Sequence, residues 1–134
     1  MDHSREKRGR LAHRVDDLEV YSRARKLAFE LFVASQSWPR EEKYSLVDQV
    51  RRSSRSVGAQ LAEAWGKRRY VRSFTAKLVD ARAEQLETVH WIETARDCSY
   101  LPANRCEGFR EQLEIIGKQI DAMIAKARDF SRTA

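Results

Sequence analysis

Punctuation is scarce in this chain, with five glycines and two prolines in 134 residues. So few turn-forming residues exclude a fold of many short strands and favour a few long helices. No run of about 18 apolar residues occurs, so no membrane-spanning helix is expected. The first residues, MDHSREKRGRLAHRVDD, carry charge but no apolar segment, and they do not read as a secretion signal. A cytoplasmic protein is the expectation. Two cysteines, Cys98 and Cys106, fit neither a zinc pattern nor a disulfide framework, and two unpaired thiols are expected. A Gly-rich phosphate loop is missing, as is any Ser-His-Asp or Cys-His pairing, so neither a nucleotidase-type loop nor a nucleophilic catalyst is indicated.

What the chain has is charge and periodicity. The net charge is +6 with a pI near 9.6, a cationic excess that suits acidic partners such as nucleic acid. Its length fits one domain. Residues 1–15 are polar and aperiodic and read as a flexible basic tail; residues 16–134 read as one helical domain.

Four amphipathic segments follow the tail. The first opens at Asp16 or Asp17 as N-cap and runs to about Ser37, with Val20, Ala24, Leu27 and Leu31 in one stripe. Trp38-Pro39 stops it. Ser45 with Asp48 forms a capping-box-like start for the second, whose inner row is Leu46, Val50, Val57, Leu61 and Ala64, with Ser53 filling a step. Gly66 ends that helix. The third spans about Val71 to Cys98, with Phe74, Leu78, Ala81, Val89 and Ile92 inward. Asn104 and Glu107 cap the fourth, in which Phe109, Leu113, Ile116, Ile120, Met123, Ala127 and Phe130 recur by four and three. That period of 3.5 is the seam of a left-handed bundle. Gly117 beside it implies a close helix–helix approach. The predicted fold is all-α, an up-down-up-down antiparallel four-helix bundle. Phe29, Val33, Val79, Trp91 and Ile115 fall outside the stripes, which predicts a second apolar face for self-association.

The candidate binding residues sit on the second helix and just after it. They are Arg51, Arg52, Arg55, Trp65, Lys67, Arg68, Arg69, Tyr70 and Arg72. Clustered cations bind phosphates by releasing counterions, and an exposed Trp65 or Tyr70 ring could stack on an unpaired base. The competing reading is a solvated charged face with Trp65 buried at the bundle end. Glu63, with Lys67 one turn on and Arg52 three turns back, reads as an ion-pair residue. Glu87-Thr88-Val89-His90 is half of a di-iron bundle motif, and one half cannot hold two metals. No metal, cofactor or enzymatic activity is expected.

Three stretches carry a family resemblance. They are DLEVYSRARKLAFEL, WPREEKYSLVDQVRRSSRSVGAQLAEAWGKRR and KLVDARAEQLETVHWIETARDCSYL. Together they resemble the bacterial proteins named for genes in 23S ribosomal RNA intervening sequences, also called S23 ribosomal proteins, over about residues 16 to 130. Where that family usually shows Asn-Ile-Ala-Glu-Gly, this chain has Gln60-Leu61-Ala62-Glu63-Ala64, and the loop after Gly66 is about one residue longer. The resemblance implies a cytosolic four-helix bundle, commonly a homopentameric ring, with no established enzymatic activity. Related bundles serve diversity-generating retroelements as accessory factors that engage nucleic acid and a reverse transcriptase. The expected partners are copies of itself and RNA or another nucleic acid, with a protein-only scaffold as the alternative.

Overall fold

The computed structural model describes residues 12–134. Four long helices carry the fold: α1 (Glu19–Ser35), α2 (Leu46–Gly66), α3 (Val71–Asp97) and α4 (Ala103–Ala125), followed by a short α5 (Ala127–Arg132). Single 3-10 turns at Val15–Asp17 and Arg40–Glu42 precede α1 and α2. Each long helix packs on its neighbours in sequence, and α1 closes the ring against α4. Short connections between successive helices make those neighbours antiparallel, the up-down-up-down bundle that the four stripes predict. Most of the tail assigned to residues 1–15 lies outside the described residues.

The stripes converge as their spacing requires. Val20, Ala24, Leu27 and Leu31 of α1 are buried, as are Leu46, Val50, Val57, Leu61 and Ala64 of α2. On α4 the row from Phe109 to Met123 is buried throughout, as is Ala127 at the start of α5. On α3 the inner row drifts: Gln85 and Thr88 face the core, while Val89 is only half-buried. Burying those polar side chains requires partners. Thr88 Oγ1 donates to Ser53 Oγ at 2.9 Å or to the Glu84 carbonyl at 2.8 Å, and Gln85 Nε2 donates to the Leu113 carbonyl at 2.9 Å. Ser53 is thus the α2 half of a polar contact with α3, set inside an apolar row.

Gly117 makes room for two side chains of α3 rather than for a close approach of the helix backbones. A methyl group there would lie 2.6 Å from an Arg82 guanidinium nitrogen and 3.2 Å from the Gln85 amide carbon. Arg82 crosses α4 at that point, with Nε donating to Asp121 at 3.1 Å and a terminal nitrogen donating to Gln85.

The helix ends differ from expectation. Asp17 does not cap α1, which starts at Glu19; its carboxylate accepts the backbone N–H groups of His13 and Arg14, both at 3.0 Å. Those two bonds favour the ionised form and lower its pKa. Ser45 occupies the N-cap position of α2 without a side-chain cap, and α4 begins behind Pro102, one residue before Asn104. At the end of α3, Ser99 takes φ 63, and the Tyr100 N–H closes on the Ala95 carbonyl at 2.9 Å. The last segment is not one helix to Phe130: Lys126 breaks it, and α5 resumes at Ala127, with the Phe130 ring 5.6 Å from Phe74 and 6.4 Å from Trp65. Both cysteines are free; Cys106 is buried, which pushes its thiol pKa up.

Candidate nucleic-acid interface

The nine residues read from the sequence do not form one surface. Arg51 and Arg52 are adjacent in sequence, so on a helix they point about 100° apart. Arg51 faces α1: its Nε donates to Ser35 Oγ at 2.9 Å, and its guanidinium carbon lies 4.6 Å from the Phe32 ring centre. Arg55, one turn on, lies 5.5 Å from the same ring. Arg52 faces α3, where it pairs with Glu84 at 3.3 Å and with Glu87. Its charge is already matched by two carboxylates.

Glu63 belongs to the same α2–α3 seam. Its partner is Lys77 at 2.8 Å, rather than Lys67 or Arg52. The Lys77 ammonium lowers the Glu63 pKa, and the carboxylate in turn raises that of Lys77. Glu87 is taken by Arg52, and the exposed His90 ring sits 4.7 Å from Trp91. Among the described residues, no three His, Cys, Asp or Glu side chains converge as a metal site would require.

Arg51 and Lys67 are separated by about 24 Å along α2 at 1.5 Å per residue. The cations after α2 therefore form a separate site, at the end of the bundle. There Trp65 is 8% exposed, with Phe130 edge-on to it and the Arg68 guanidinium 3.9 Å from its ring centre. A buried ring cannot take a base, so Trp65 drops out as a stacking residue. Arg68 is half-buried and donates to the Trp65 carbonyl at 3.0 Å, so it serves chiefly to hold that end together. Lys67, Arg69, Tyr70 and Arg72 are exposed, Tyr70 by 65%.

The fold adds cations that the sequence reading missed. Ser131 Oγ of α5 donates to the Arg69 carbonyl at 2.8 Å, which fixes α5 against the α2–α3 turn. Lys126, Arg128 and Arg132 are exposed beside it and, with Val71 and Thr75, bound a cavity of about 380 Å³. Asp129, 3.9 Å from Arg132, is the carboxylate of this group. Six exposed cations from two distant stretches of sequence thus surround one end, with Tyr70 among them. No local pattern signals this, because Lys126 to Arg132 arrive only through the bend after α4.

A family model described as 23S rRNA-intervening sequence protein matches residues 16–122. Among solved structures, the chain is similar to the crystal structure of a protein of unknown function from the S23 ribosomal protein family, from Bacteroides thetaiotaomicron. The TM-score is 0.72 at 24% identity, over 79% of this chain and 95% of that one. That likeness supports the bundle fold. A comparison with curated proteins gives no match.

Proposed function

The chain belongs to the 23S rRNA-intervening sequence protein family, and from that premise we propose that it is a non-enzymatic, homo-oligomeric, cytoplasmic bundle protein that binds RNA or another nucleic acid. The binding surface is the basic end, where Lys67, Arg69 and Arg72 meet Lys126, Arg128 and Arg132. Each phosphate neutralised there releases counterions, and the exposed Tyr70 ring offers a stacking face for an unpaired base. Repetition of the site in a ring, with a pentamer as the expected form, multiplies weak contacts by avidity.

The observation that carries this reading is the tie from Ser131 to the Arg69 carbonyl, which joins two separate basic segments around an exposed aromatic ring. Of the original set, Arg51 and Arg55 lie on the α1 side and Arg52 is neutralised, so they stand outside this surface. The test is ultraviolet crosslinking in cells with sequencing of the nucleic acid that co-purifies. The reading expects crosslinked peptides from the Lys67–Arg72 turn; recovery of none, with no binding to RNA at low salt, would remove it.

A protein-interaction scaffold is the second reading, and the outward Phe29 and Val33 side chains favour it. A defined protein recovered after nuclease treatment, with no nucleic acid bound by the purified chain, would select it.

A further inference from the structure

Two surfaces away from the basic end are complementary. The first is a groove of about 590 Å³ between α1 and α2. Small residues (Ala24, Ala28, Gly58, Ala62) let its walls recede, and Phe29 stands at its edge 65% exposed. Among the described residues, Arg25 and Arg55 are the charged side chains lining it, and no carboxylate does. A recess of small side chains between two helices has the shape that admits the ridge of a third.

The second surface is the outer face of α3. Val79, Ala83, Leu86 and His90 recur there by four, three and four, all exposed, opposite the row that faces the core. Val79 and Leu86 are each more than half exposed. Along the edge of this row runs the α2–α3 seam, where Glu63, Asp80, Glu84 and Glu87 meet Arg52 and Lys77. Four carboxylates against two cations leave that edge net negative by two. An apolar row with an acidic border therefore faces outward on one side, and an apolar groove with a basic border opens on another.

We infer that the α1–α2 groove receives the outer row of α3 from a second copy of this chain. The contact is heterologous: each copy offers a groove to one neighbour and a row to the next, so association either closes into a ring or continues. Opposite charges along the two borders set the register and disfavour groove-to-groove or row-to-row pairing. This rests on the self-association in the reading above and is independent of nucleic-acid binding.

The experiment uses the full chain, freed of nucleic acid by nuclease and high salt, with mass measured by light scattering on a sizing column. Phe29→Asp spoils the groove, and the double change Val79→Asp with Leu86→Asp spoils the row. All three positions are exposed, so the fold should survive, which circular dichroism and thermal unfolding verify. An acid on both spoiled faces keeps them from pairing with each other. The wild type should assemble beyond a dimer, and each variant alone should be monomeric. Mixed in equal amounts, the two variants should give a species of twice the chain mass and stop there, because one intact groove then meets one intact row. A monomeric wild type would overturn the inference together with the oligomeric reading. An oligomeric wild type whose variants still assemble, or whose mixed variants stay monomeric, would overturn the inference alone.

Discussion

The two flanks of α2 show how the same residue type acquires different roles. On the side facing α1, Arg51 and Arg55 lie over the Phe32 ring, and no ion pair joins them to another described residue. On the side facing α3, Arg52 meets Glu84 and Glu87, and Lys77 reaches across to Glu63. One flank keeps its positive charge and the other is neutralised past balance. A cluster of arginines in sequence is thus not a basic surface until the helix has been rotated into its bundle. The surface with the strongest claim to a polyanion lies off both flanks, at the end of the bundle.

Both flanks depend on the core that fixes the rotation of α2. Ile120→Ala, at a fully buried position of α4, should cost about 2 to 5 kcal/mol in chemical denaturation. Phe29→Ala on the exposed lip of the groove should stay within about 0.5 kcal/mol for the isolated chain. Equal losses at the two sites would remove the distinction between seam and outer face.

A smaller effect separates the flanks themselves. Arg52→Ala should cost less than about 1 kcal/mol, because the pair is partly solvated, and the loss should shrink as salt is added. Arg55→Ala removes a contact with a ring rather than with a carboxylate, so its small cost should change little with salt.

The smallest effect is in pH. The folded Glu63 pKa is depressed by Lys77, so its stabilising contribution is present above the unfolded glutamate value and is lost as pH falls through the folded one. The folded Lys77 pKa is raised, so that part is present below the unfolded lysine value and fades as pH rises through the folded one. Lys77→Met should therefore flatten the stability profile at both its acid and alkaline ends, as read by thermal unfolding across pH.

The fold was legible because helical spacing fixes which face is apolar. Every apolar residue placed in the α1, α2 and α4 rows is buried, apart from half-buried Phe130. Four features escaped. Helix starts at Ser45 and Asn104 matched capping patterns, but the chain enters those helices by other geometry. The apolar spacing on α3 runs through Val89, whereas Gln85 and Thr88 turn inward because they find partners on α4 and α2. Of the basic set, Lys67, Arg69, Tyr70 and Arg72 are exposed, as contact with a phosphate or base would require, while Trp65 and Arg52 are claimed by Phe130 and by the α3 glutamates. Lys126, Arg128 and Arg132 were invisible as site residues because their neighbours come from more than 50 positions away, a relation set by tertiary packing.

The most direct test of the account is a salt titration of binding to a single-stranded RNA, read by fluorescence anisotropy on three proteins: wild type, Arg52→Ala, and the double variant Arg69→Ala with Arg128→Ala. The account predicts a steep salt dependence whose log–log slope falls by about 0.7 for each phosphate contact removed, so that the double variant binds more weakly and titrates more shallowly. Arg52→Ala should reproduce the wild-type curve. An Arg52→Ala curve as weak as that of the double variant, or a double variant indistinguishable from wild type, would contradict the placement of the basic surface at the bundle end.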